Sequence, residues 1–397
     1  MTPEIKQRIS QLNNGEVPVG YKKTDLGIFP CEWIQYSIGE VSIDKGKYGI
    51  NAPACKYKEG LPRYLRITDI DDDGCYIDNS AYVDHANSNE YVLNENDLVF
   101  ARTGASVGKS YLYKKQDGLL VYAGFLIKFS IDPNKCNAYI VKKNCVSTKF
   151  EEWVQIMSAR SGQPGINAEE YAEYRFVAPK SSIEQSRIAE ILMKWDEAIE
   201  LHEQYIERLE LRKKALMKKI LTPKENWEKI KMNQIGKLYQ PVTISDAQLK
   251  DSGYLVYGAN GIIGFYDKYN HEDSEIAITC RGSTCGNVTF TKPYSWITGN
   301  AMVFKVFEKY DKKFLYYLCM GRGFKDIVSG SGQPQITRQS FNKIVLTVPN
   351  TKSEQNALST VLTVLDEQTS LHQEKIEKLK LQRKTLQQYL LTGIVRV

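Results

Sequence analysis

The tetrapeptide Ser-Gly-Gln-Pro stands at Ser161 to Pro164 and again at Ser331 to Pro334, and the 170-residue offset between the copies holds without a gap for about sixty residues. Pro179 matches Pro349, Glu184-Gln185 matches Glu354-Gln355, and Asp196-Glu197 matches Asp366-Glu367. Leu201-His202 likewise matches Leu371-His372, and Leu221-Thr222 matches Leu391-Thr392. An internal duplication is the economical explanation, and it requires two copies of one supersecondary frame. At 397 residues the chain has room for two or three domains.

Upstream of each tetrapeptide the match weakens without vanishing. Trp33 and Trp227 each precede an Ile-Gly pair, and "DLVFARTGASVGKSYLY" aligns with "EIAITCRGSTCGNVTF". Both read as an apolar strand, a Gly-x-x-x-Gly loop and a second strand. "YAGFLIKF" and "ITGNAMVFKV" follow, again strand-like. Each half therefore joins a divergent globular domain to a well-kept segment.

That kept segment is helical. After Pro179, positions Ile188, Leu192, Trp195, Ile199, His202, Ile206, Leu209, Lys213, Leu216 and Ile220 alternate in steps of four and three. The second copy supplies Leu358, Leu362, Leu365, Thr369, His372, Ile376, Leu379, Arg383, Leu386 and Leu390. Two matched heptad seams predict helices that pack on each other. Acidic residues gather early in each helix and basic residues late, so antiparallel packing sets opposite charges together. A helix from Ser182 to Ile220 is about 58 Å long and would hold the globular domains at its two ends. His202 and His372 are expected to meet near mid-helix.

Several stretches suggest catalysis and fail on inspection. "GASVGKS" at Gly104 to Ser110 has three residues between its glycines where a P-loop has four. "DIDDDG" at Asp69 to Gly74 opens like a calcium loop, but Ser80 stands where a bidentate Glu is needed, so a tight acidic turn is expected. "GANGIIG" at Gly258 to Gly264 lacks the dinucleotide-binding spacing. Neither an H-E-x-x-H pair nor an Asn-Pro-Pro-aromatic stretch occurs. The eight cysteines form no C-x-x-C pair, so no metal is expected and reduced, mostly buried thiols are. No apolar run reaches the length of a membrane helix, and a cytoplasmic protein is expected.

The surviving candidates suit nucleic acid, which the net charge of +6 permits without requiring. Arg102, Thr103, Ser106 and Lys109 in one loop, and Arg281, Ser283 and Thr284 in the other, supply guanidinium, hydroxyl and ammonium groups beside glycine amides. Such groups reach phosphates and, for Arg, the major-groove edge of guanine. Asn260, Asn287 and Asn300 have the chemistry to read adenine. Lys45, Lys47, Tyr48, Lys56, Arg63 and Arg66 form a basic stretch with aromatic interleaving. Gln163 and Gln333 of the repeated tetrapeptide are secondary candidates. A coiled-coil scaffold that binds protein is the competing reading, and it predicts no salt-dependent affinity for duplex DNA.

The combination of "LPRYLRITDIDDDG", "LVFARTGASVGK", "VYGANGIIGFYDKYN", "SWITGNAMVF", and "SGQP" followed by "EQ" and a long helix resembles the specificity subunits of type I restriction-modification systems over essentially the whole chain. The resemblance implies an α+β protein: two α/β target-recognition domains in pseudo-twofold repeat, separated by two long antiparallel coiled-coil helices. Its expected divisions are an N-terminal helical arm at 1–18, recognition domains at 19–180 and 223–350, and conserved helices at 181–222 and 351–397. It further implies a non-catalytic subunit that binds double-stranded DNA, each domain reading one half of a split, asymmetric target while the helices set the spacer. Two modification subunits would dock on the helices and bring S-adenosylmethionine, restriction subunits bringing ATP-driven cleavage are a further partner, and the chain itself would need no cofactor. Ile5, Ile9 and Leu12 of the arm are expected to pack beside the end of the second helix.

Overall fold

The structure, a computed structural model, describes residues 2–159, 164–330 and 334–397. Ser161 to Gln163 and Ser331 to Gln333 lie outside the described residues, and with them the candidates Gln163 and Gln333. The chain divides into two compact units, Met1–Glu200 with Glu377–Val397, and Leu201–Ile376. The expected helices are present as Ser182–Ile220 and Lys352–Leu391. The division falls inside both, so each unit owns the early part of one helix and the late part of the other.

In the first unit a four-stranded sheet runs Lys47–Tyr48, Leu126–Ser130, Asp97–Ala101 and Ser110–Leu112, all neighbours antiparallel. The second unit repeats this order with Gly236–Tyr239, Ala301–Val306, Ile276–Thr279 and Val288–Phe290. Asp97–Ala101 and Ile276–Thr279 are buried along their whole length, as their largely apolar runs require. Phe100, Phe129, Phe150 and Tyr171 fill the first core, and Phe304, Phe314, Phe324 and Phe341 fill the second.

A smaller sheet flanks each. Leu120–Tyr122 runs parallel to Arg63–Leu65, as Trp296–Ile297 runs parallel to Tyr254–Gly258. A two-stranded ribbon, Trp33–Ser37 with Arg175–Pro179 or Glu228–Lys231 with Val345–Val348, then leads the chain into its long helix. Between the repeated tetrapeptide and that ribbon lies a short helix, Ala168–Glu173 or Arg338–Asn342. Side-chain caps start both, from Asn167 and Thr337.

The long helices are antiparallel within each unit. Every seam position from Ile188 to Ile220 and from Leu358 to Leu390 is buried or half-buried. In the first unit Arg383 Nη1 donates to Asp196 Oδ1 at 2.9 Å and Arg396 Nε to Glu184 Oε1 at 2.6 Å. In the second, Lys213 Nζ donates to Asp366 Oδ1, and the rings of His202 and His372 stand 4.8 Å apart with their Nδ1 atoms at 2.6 Å. One imidazole donates and the other accepts, so the pair is neutral or shares one proton.

The duplicated Glu-Gln pair fastens globular part to helix. Gln185 Nε2 donates to the Pro179 carbonyl at 2.7 Å while its Oε1 accepts the Asn137 amide at 2.7 Å. Gln355 does the same with Pro349 at 2.9 Å and the Asp311 amide at 2.8 Å. Glu184 takes the Arg396 guanidinium, and Glu354 takes Lys224 at 3.2 Å and the Trp227 indole at 3.3 Å. The arm, Pro3–Asn13, buries no residue fully; Ile5, Ile9 and Leu12 are half-buried, and Arg8 donates to the Ile394 carbonyl. Of the eight free thiols, Cys136, Cys145, Cys280 and Cys319 are buried while Cys31 and Cys75 are exposed, which is less burial than composition suggested.

Candidate nucleic-acid interface

The Gly-x-x-x-Gly loop is built the same way in each unit. Gly104 and Gly108 have φ of 71° and 89°, and Gly282 and Gly286 have φ of 88° and 95°, a left-handed conformation that favours glycine at all four places. The Gly108 amide donates to the Ala101 carbonyl at 3.1 Å and the Gly286 amide to Thr279 at 2.8 Å. The Gly104 amide reaches the Pro164 carbonyl at 3.1 Å, as Gly282 reaches Pro334 at 3.0 Å. Ile166 donates to Arg102 and Ile336 to Cys280, so the segment after each tetrapeptide braces the loop. A hairpin tip completes the frame: the Arg102 amide donates to the Phe125 carbonyl at 3.0 Å, and that of Cys280 to Asn300 at 3.1 Å.

These bonds fix which residues correspond. Arg102 takes the place of Cys280, Thr103 of Arg281, Ser106 of Thr284, Lys109 of Asn287 and Phe125 of Asn300. The two loop arginines therefore sit one residue apart on equivalent backbones. The Arg102 guanidinium lies 4.9 Å from the centre of the half-exposed Tyr48 ring, whose hydroxyl accepts the Ala168 amide at 3.3 Å. At that spot in the second unit Gln240 Nε2 donates to Cys280 Sγ at 3.4 Å and to the Gly299 carbonyl at 3.1 Å.

The other candidates scatter. Lys45 and Lys47 are exposed, on or beside the edge strand that carries Tyr48. Arg63 opens a strand of the other sheet and Arg66 follows that strand, so the basic stretch read from sequence is not continuous in space. Arg63 pairs with Asp78 at 3.1 Å. Arg66 is bidentate to buried Asp69 at 2.9 and 2.8 Å, and Asn79 adds a third bond at 2.8 Å. Burial pushes the Asp69 carboxyl up, and these bonds outweigh it and hold the group low. Lys109 is tied to Asp72 at 2.7 Å and to the Ile70 carbonyl at 3.3 Å. Arg281, Ser283, Asn287, Asn260 and Asn300 are exposed, and Thr284 joins Asn260 at 2.7 Å.

Composition and spacing did not single out Phe125, which is 56% exposed at its hairpin tip, or Gln240. Aligning "YAGFLIKF" with "ITGNAMVFKV" places Phe125 against Asn300, and that was the available signal. The acidic turn at Asp69 to Gly74 also does more than turn: Asp73 takes Arg383 Nη2 at 2.6 Å and Lys380 at 3.4 Å. Among the described residues no cluster of three or more His, Cys, Asp or Glu could hold a metal ion. Nor, among them, is any helix long and apolar enough to cross a membrane.

Two copies of one braced loop carrying different side chains, in a chain with two matched long helices, define a duplicated recognition protein. Residues 30–211 and 224–381 each match the type I restriction modification DNA specificity domain, and the chain belongs to that family. Among its relatives are the type I restriction enzyme MjaVIII specificity subunit of Methanocaldococcus jannaschii, 25% identical across 93% of this chain and 94% of that one, and the same organism's putative MjaX specificity subunit, 23% identical across 95% and 97%. The fold is similar to a crystal structure of a type I restriction-modification S subunit from M. genitalium, with a TM-score of 0.63 at 16% identity over 90% of this chain and 96% of that one. As a specificity subunit the chain is non-catalytic.

Proposed function

We propose that this chain reads duplex DNA with its two loops, each loop recognising one half of a bipartite, asymmetric target. The observation that carries the reading is the duplicated loop itself: one hydrogen-bonded backbone, twice, with Arg102 and Phe125 on one copy and Arg281 and Asn300 on the other. Shared backbone suits a shared task, and different side chains suit different base sequences. Arg66 and Lys109, already committed to carboxylates, position the frame; Lys45, Lys47, Arg102 and Arg281 meet DNA.

The helices set the spacer and dock two modification subunits, which supply S-adenosylmethionine; restriction subunits, where present, supply ATP-driven cleavage. Exposed Leu201 and Leu371, and Leu211 and Leu381, occupy equivalent helix positions and suit two copies of one partner. The complex works in the cytoplasm, where its DNA lies. Duplex binding by the full chain, alone and with modification subunits, tests the reading. Affinity should fall steeply between 50 and 200 mM salt, as release of counterions demands. Salt-independent binding, or none, would favour the protein-binding scaffold.

A further inference from the structure

The correspondence between the loops allows the recognition reading, on which this inference rests, to be taken to individual base atoms. Phe125 is an exposed phenyl ring on a rigid tip. Leu126 donates to the Ala123 carbonyl at 2.8 Å to close the tip, and Gly124 donates to the Ile50 carbonyl at 2.8 Å. A Cβ on Gly49 would stand 2.2 Å from the Ala123 oxygen, so the neighbouring backbone holds the tip from behind. The Phe125 carbonyl takes the Arg102 amide, and the Arg102 guanidinium lies over Tyr48, so the residue bonded to the tip carries a cation stacked on a second aromatic ring.

The second unit keeps this scaffold and changes its chemistry. The Ala301 amide closes the tip on the Thr298 carbonyl at 3.0 Å, and Gly299 is held through its amide to Thr243 Oγ1 at 3.2 Å. The exposed side chain is the amide of Asn300, and the ring of Tyr48 gives way to Gln240. An isolated exposed Phe is unremarkable on a protein surface. Here it occupies the one tip position whose counterpart is an amide able to grip adenine at N6 and N7.

We infer that the two tips read different base atoms from equivalent places: Phe125 contacts the 5-methyl group of a thymine in one half-target, and Asn300 bonds an adenine in the other. A phenyl ring can recognise a thymine methyl only by apolar contact, and a carboxamide matches the adenine edge in two parallel bonds. Each selectivity is therefore separable by a one-atom change in the DNA.

The test starts from a random-sequence duplex library selected on the full-length chain, alone and assembled with modification subunits. Enriched duplexes are re-measured with uracil in place of each thymine and 7-deazaadenine in place of each adenine. Wild type should lose about threefold to tenfold in affinity at one thymine of one half when its methyl is removed. It should lose roughly 5- to 100-fold at one adenine of the other half when N7 is removed. Phe125→Ala should be indifferent to the first change and Asn300→Ala to the second, with melting temperatures unchanged because both side chains are exposed. A bipartite target on which either variant keeps every wild-type sensitivity, or on which both variants act in the same half, would overturn the inference and leave the recognition reading standing. Absence of any enriched duplex in both preparations would defeat the recognition reading, and the inference with it.

Discussion

Asp196 and Asp366 are duplicates of one residue in different surroundings. Asp196 receives Lys143 at 2.6 Å, Tyr139 at 2.5 Å and Arg383 at 2.9 Å; Asp366 receives Lys213 and, at 2.7 Å, Tyr317. Lys143 is buried, so Asp196→Ala strands a charge and should destabilise the first unit by roughly 3–5 kcal/mol. Asp366→Ala leaves a more exposed lysine and a tyrosine hydroxyl, for roughly 1–3 kcal/mol. Hydrogen exchange resolved by segment would measure both, and equal losses would contradict the difference in burial. Burial raises the Asp196 carboxyl, and its cations more than offset that, holding it below the ordinary value near 3.8. Its contribution is therefore present above about pH 3.8 and lost as the pH falls through the lower folded value. The repeat made these aspartates visible in the sequence, as it did Gln185 and Gln355. Their roles were not legible, because the Gln partners Asn137 and Asp311 lie 48 and 44 residues away and nothing local links them.

The long helices were legible as elements because a heptad is a local periodicity that two copies repeat. The sheets were legible only as strand-like runs: several strands have two or three residues, too short for alternation to show. The His202–His372 pair carries a prediction for the helices. Burial, with His372 and Lys375 nearby, holds His202 below the ordinary value near 6.5. Tyr205 lies 4.5 Å from the His372 ring, and Arg208 lines the same surface. A base held low favours the folded state while neutral, so its contribution is present above about pH 6.5 and lost below. The second unit should lose stability between pH 7 and 5, and His202→Gln should flatten part of that loss. His271, also held low by burial, contributes to the same loss. Unchanged pH dependence in His202→Gln would contradict a role for the pair.

For the whole molecule, independence of the two halves is the consequence that matters. Arg281→Ala should weaken recognition of one half-target by roughly 1–3 kcal/mol and spare the other. One heptad added at equivalent points of both helices lengthens each by about 10 Å, or roughly three base pairs of duplex. The spacer should grow by about that much with both half-targets unchanged; altered half-targets at constant spacing would refute the helices' part in it. Base-resolved mapping of adenine methylation, in cells carrying this chain with its modification subunits, bears on the whole scheme at once. It should return one motif of two unlike defined halves, separated by an undefined spacer of constant length. A single continuous motif, or two identical halves in inverted repeat, would contradict it.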